Sequence, residues 1–84
     1  MPDEVGINKI SETGEYKIYY RQGARLVDGK LVGGRYNENL AYYTNSELDA
    51  ALTLINIAEQ EQRRGNDVWI SNSKLTQSVL SGNL

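Results

Sequence analysis

Ser46-Glu47-Leu48-Asp49-Ala50-Ala51-Leu52-Thr53-Leu54-Ile55-Asn56-Ile57-Ala58-Glu59-Gln60-Glu61-Gln62-Arg63-Arg64 is the stretch that decides the fold. At 100° per residue, Leu48, Ala51, Leu52, Ile55 and Ala58 fall on one stripe, the ordinary core face of a surface helix. Ala50, Leu54 and Ile57 make a second stripe beside it, and only Asp49, Thr53, Asn56, Gln60 and Arg63 form a polar arc. The apolar arc spans roughly 200°, against the ~100° that one buried face requires. The second stripe, Leu54 and Ile57 above all, is therefore expected to meet either the rest of the chain or a partner.

The ends of this helix are marked in the sequence. Thr44 or Ser46 can cap it, with Glu47 and Asp49 each three residues after one of them, the spacing of a capping box. The same acids suit the positive end of the helix dipole, and Arg63 and Arg64 suit the negative end. Gly65 stands where a C-terminal cap belongs, and Asn66-Asp67 begin a turn.

Before the helix the pattern changes to period two. Tyr16, Ile18 and Tyr20 alternate with Lys17, Tyr19 and Arg21, which gives a strand over 15–22 with one apolar face and one basic, tyrosine-bearing face. Asp28-Gly29 between Leu26-Val27 and Leu31-Val32 predicts a tight hairpin, because that dipeptide accepts the positive φ angles of a type I′ turn. Gly33-Gly34 predicts a bulge, a bend or a close backbone approach. The strand pattern resumes over 39–44, and Val68-Trp69-Ile70 suits one more short strand. Residues 1–14, with Gly6, Ser11 and Gly14 among few apolar positions, read as a mobile arm carrying at most a brief strand. The tail from Ser71 has Leu75, Val79 and Leu80 at helical spacing, which offers a short C-terminal helix or a disordered end.

The expected fold class is therefore α+β. A small antiparallel sheet of three to four strands packs against one long helix over 46–64, in a single domain spanning 15–84. Tyr16, Tyr20 and one of Tyr42 or Tyr43 are expected in its core, with Trp69 as a further core plug.

Composition narrows the chemistry. The 84 residues contain no cysteine and no histidine. Disulfides and thiolate chemistry are excluded, and the commonest general base and metal ligand is missing. A metal site would have only carboxylates, and no cofactor motif is present. Glu59 and Glu61 sit on different sides of the helix, so they do not form an acid–base pair. Gly29 to Gly34 has neither the spacing nor the strand-to-helix context of a phosphate loop. The reading is a non-enzyme without metal or cofactor. No apolar run is long enough to span a membrane, no secretory leader stands out, and the expected location is cytoplasmic.

Charge is segregated along the chain. Residues 1–15 carry net −3, residues 16–36 net +4, residues 37–62 net −5 and residues 63–84 net +2, for a total of −2. A basic block between acidic ones can present a positive face on an acidic molecule.

Two functions from different classes fit. The first is a non-catalytic protein-binding module, a small inhibitor or adaptor. It would act through a tyrosine–arginine sheet face (Tyr19, Arg21, Arg25, Arg35, Tyr36) and an apolar helix face (Leu54, Ile57), with another protein or a second copy as partner. In size and element order the chain resembles small phage-encoded proteins, anti-CRISPR inhibitors among them. The second is a nucleic-acid-binding sheet using the basic strand region 17–35. The order strand, strand, strand, helix is similar to that of AP2-type and integrase-arm DNA-binding domains. The low isoelectric point counts against this second reading.

Overall fold

A computed structural model describes residues 1–83. Seven strands and two α-helices follow in the order β1 (Asp3–Lys9), β2 (Tyr16–Gln22), β3 (Arg25–Val27), β4 (Lys30–Val32), β5 (Arg35–Tyr36), β6 (Tyr42–Thr44), α1 (Glu47–Arg63), β7 (Val68–Ile70) and α2 (Lys74–Asn83). The expected α+β architecture is present, with the long helix and a short C-terminal helix both formed.

The main sheet has five strands and is mixed rather than purely antiparallel. β1 is its centre: it pairs antiparallel with β2 and parallel with β7. The outer edge of β2 is shared between β5 at its C-terminal end and β6 at its N-terminal end. The parallel pair is possible because α1 supplies the crossover before β7. β3 and β4 form a separate hairpin. Its turn is the expected one, with Asp28 and Gly29 at φ of 50° and 78°.

The reading of residues 1–14 as a mobile arm is corrected at 3–9, which form an inner strand of the sheet, paired along both edges. Val5 and Ile7 alternate correctly and are fully buried under the helices. Gly6, which weakens the strand signal in the sequence, has a packing reason. A Cβ there would collide with the ring of Tyr19, which lies across the strand opposite it. Residues 39–44 are also not one strand: a 3-10 turn occupies Glu38–Leu40 and the strand begins at Tyr42.

One face of the sheet is covered by both helices. Val5, Ile7, Tyr16, Ile18, Tyr20 and Val68 from the sheet meet Ala50, Ala51, Leu54, Ile57 and Ala58 from α1 and Val79 from α2. Ser46 caps α1, its Oγ accepting the Asp49 N–H at 3.1 Å. The C-terminus ends in a Schellman motif. Gly65 N–H donates to Gln62 O at 2.9 Å and Asn66 N–H to Glu61 O at 3.0 Å, with Gly65 at φ 96°.

The buried face of α1 cuts across the two stripes read from the sequence: Ala51 and Ala58 of the first are in the core as expected, and its leucines are not. Leu54 and Ile57, read as a surface for a partner, are buried in the chain's own core. Leu48 and Leu52, read as core, are 51% and 48% exposed.

α2 docks through a polar contact as well as an apolar one. The Ile7 N–H lies beyond the end of β7 and donates instead to Thr76 Oγ1 at 3.0 Å, with Thr76 fully buried. Ser73 Oγ donates to the same Thr76 oxygen at 2.8 Å and accepts the Thr76 N–H, capping the helix. Thr76→Val keeps the shape and removes the acceptor. The expected cost is about 1–3 kcal/mol, the usual penalty for an orphaned buried amide. Urea unfolding of the two proteins measures it.

Candidate functional site

The face of the sheet away from the helices is the candidate site. β1 contributes Glu4 and Gly6 to it, β2 contributes Lys17, Tyr19 and Arg21, β5 contributes Tyr36, β6 contributes Tyr43 and β7 contributes Trp69. Registers place Glu4 opposite Arg21 and Trp69, Arg21 opposite Tyr36, and Lys17 opposite Tyr43.

The tyrosines form the apolar part. Tyr19 packs over Gly6, and its hydroxyl donates to Glu4 Oε1 at 3.2 Å. Burial, aided by Glu4, raises its pKa. Tyr36 meets the Tyr19 ring edge-on at a centroid distance of 5.6 Å and stays 58% exposed. Tyr43 is 48% exposed, with Lys17 Nζ 5.5 Å from its ring centroid. The side-chain interaction with Tyr43, and then with Glu38, holds the Lys17 ammonium above its ordinary range.

The two cations on this face are already matched. Lys17 Nζ lies 3.4 Å from Glu38, and Arg21 Nη2 lies 3.0 Å from Glu4. Arg21 also donates to the carbonyls of Leu31 and Gly33, both at 3.3 Å, so it staples the β3–β4 hairpin over the sheet. Only its Nε is left without a partner among the described residues. Arg21, expected as a partner contact, is an internal brace with a mostly buried side chain.

The other predicted residues divide. Tyr19 and Tyr36 are brought together on the open face. Arg25 lies on the hairpin rather than in the sheet. Arg35 precedes Tyr36 on β5 and points to the opposite side. Leu54 and Ile57 lie in the core and form no part of the site. Tyr16 and Tyr20 are buried as expected, whereas neither Tyr42 nor Tyr43 is. Tyr42 instead donates to Asp49 Oδ2 at 2.8 Å on the helix side, which lowers the pKa of that carboxyl. Trp69 is not a core plug: it is 41% exposed, and its Nε1 donates to Asp67 at 3.3 Å. Tyr43, open in the sequence to either a core or a contact role, belongs to the face, and so does Trp69, which was not among the predicted contacts. The period-two pattern of each strand carried that signal, and their pairing partners did not.

Tyr20 is the main buried polar group under the sheet. Its hydroxyl donates to Asp3 Oδ2 at 2.7 Å, and Gly23 N–H donates to the other Asp3 oxygen at 2.9 Å. Burial, then the Asp3 hydrogen bond, pushes the phenol well above its ordinary value. The pKa values of Tyr16, Tyr19 and Tyr42 are also raised above 10.0. A raised pKa means the folded chain holds the proton more tightly than the unfolded chain. That stabilisation is complete below the unfolded value of 10.0 and is lost as pH rises above it. The urea midpoint is expected to fall steadily with pH above about 10. In Tyr20→Phe the fall should be shallower, from a lower starting stability.

No family model matches the sequence, and no curated protein or solved structure shows significant similarity to it. Among the described residues, no helix is long and apolar enough to cross a membrane, and no group of three or more acidic side chains is arranged to hold a metal ion.

Proposed function

We propose that the protein is a non-catalytic protein-binding module that engages its partner through the open sheet face centred on Tyr19, Tyr36 and Tyr43. One observation carries the reading: the face is aromatic, and its two cations are already neutralised by the chain's own Glu4 and Glu38. A nucleic-acid surface draws its affinity from cations that exchange counterions for phosphates. Lys17 and Arg21 would have to give up existing partners to do that. Exposed tyrosines held in place by a T-shaped contact and a lysine instead supply rigid contact area at little entropic cost, the usual currency of protein interfaces. An inhibitor or an adaptor would both work this way. A chain without cysteine needs no oxidising compartment, which suits the cytoplasm.

The test is affinity capture from extract of the source cells with the tagged chain, with and without nuclease. The expected result is a protein retained after nuclease treatment and lost, by roughly tenfold or more in affinity, with Tyr36→Ala/Tyr43→Ala. Both side chains are exposed, so the double variant should melt like the parent to within about 1 kcal/mol. Capture abolished by nuclease would favour the nucleic-acid reading. Capture indifferent to the double substitution would move the surface elsewhere.

A further inference from the structure

We propose that the outer edge of β7, together with the cleft between it and the β3–β4 hairpin, takes an extended segment of a partner protein as an added strand. The inference rests on the protein-binding reading only in taking a polypeptide as the partner. It concerns the β7 end of the sheet, which shares Glu4 and Trp69 with the open face but none of Tyr19, Tyr36 and Tyr43.

The backbone bonding of β7 shows the edge. Asp3 N–H donates to Asp67 O at 2.7 Å, and Ser71 N–H donates to Val5 O at 2.8 Å. With the parallel register Glu4 to Trp69, residues 67, 69 and 71 turn their backbone groups towards β1. Val68 and Ile70 therefore turn theirs outward. Their N–H and C=O groups have no partner among the described residues. Sheet edges are normally defended by a charge, a proline or a bulge. Val68-Trp69-Ile70 contains none of these, and Trp69 and Ile70 are both substantially exposed. The opposite edge is different: it is divided between β5 and β6, with the 3-10 turn between them.

Beside this edge lies a cleft of about 260 Å³. The hairpin tip (Gly29, Lys30, Leu31) forms one wall, and Trp69, Ile70 and Asn72 form the other, above Glu4. Its apolar surface comes from Leu31, Trp69 and Ile70. The Glu4 oxygen that accepts from Arg21 and Tyr19 is already engaged. Lys30 lines the cleft and has no acid within ion-pair distance among the described residues, and neither does Arg25 on the same hairpin. An added strand bonds to the backbone of Val68 and Ile70 and sends alternate side chains into the cleft. The occupant that matches is an extended segment with a large apolar residue for the cleft and an acidic residue beside it for Lys30.

The test pans a display library of random peptides against the whole chain and maps the enriched peptides by amide hydrogen exchange. Enriched peptides should pair a large apolar residue with a neighbouring acid and slow the exchange of the Val68 and Ile70 amides. Ile70→Pro removes one outward donor at a position where an edge strand accepts proline. It should weaken binding by roughly tenfold or more. Lys30→Glu, on the exposed hairpin tip, should weaken it several-fold without touching the sheet, so the answer survives if Ile70→Pro folds poorly. The proposal is overturned if no peptide is enriched. It is equally overturned by enriched peptides that leave the 68 and 70 amides unprotected, or that bind both variants as tightly as the parent. None of these results alters the outcome of Tyr36→Ala/Tyr43→Ala in the capture experiment, so the two surfaces fail or stand separately.

Discussion

Deleting residues 1–9 is expected to leave a chain that does not fold. β1 is hydrogen-bonded on both sides, to β2 over six register pairs and to β7 over three. Its removal strips Val5 and Ile7 from the core and the Asp3 carboxylate from the buried Tyr20 hydroxyl. It also frees β7 and removes the amide that anchors Thr76 of α2. A domain of this size has a total margin of about 5–15 kcal/mol or less, and the lost strand contributes more than that. Circular dichroism and denaturant titration of the truncated chain should show no cooperative transition. A truncated chain that melted like the parent would mean that residues 3–9 are the loose arm their composition suggests.

The second large effect separates the two stripes of α1. Leu54→Ala should cost about 2–5 kcal/mol, because Leu54 is fully buried and its loss opens a cavity in the core between helix and sheet. Leu48→Glu/Leu52→Glu should cost roughly 1 kcal/mol or less in total, since both side chains already face solvent and each exposed site typically shifts stability within about 0.5 kcal/mol. The opposite ordering in urea denaturation would place the core on the Leu48–Leu52 side.

That ordering also shows where the sequence was legible. The helix ends were readable because capping is local. Ser46, Gly65 and the residues between them carry their own start and stop chemistry. The hairpin turn was readable for the same reason, since Asp28-Gly29 needs no distant partner to adopt positive φ. The phase of α1 was not readable, because two adjacent stripes have similar hydropathy. The boundary of the core runs through the first stripe and follows side-chain size. The buried face takes Ala50, Leu54 and Ile57 from one stripe and the small Ala51 and Ala58 from the other, so the helix can approach the sheet closely, and hydropathy weighting favours the bulkier leucines left outside.

The site was legible in part. The alternation of β2 placed Lys17, Tyr19 and Arg21 on one face correctly. The same pattern could not show that Glu4 and Glu38 would meet the two cations, because those pairings span 17 and 21 residues. A basic strand in one dimension became a neutralised aromatic face in three. β1 read as at most a brief strand because only two large apolar side chains mark it, and its central Gly6 looks like a break until Tyr19 is laid over it. The parallel pairing with β7, which leaves Trp69 at the surface, depends on the crossover through α1 and has no local signature.

Side-chain oxidative footprinting of the captured complex tests the central claim most directly. The account predicts that Tyr36 and Tyr43 are labelled readily in the free chain and protected once the partner is bound, while Leu48 and Leu52 are labelled equally in both. Protection of Leu48 and Leu52 with Tyr36 and Tyr43 unchanged would contradict it and assign the contact to the outer face of α1.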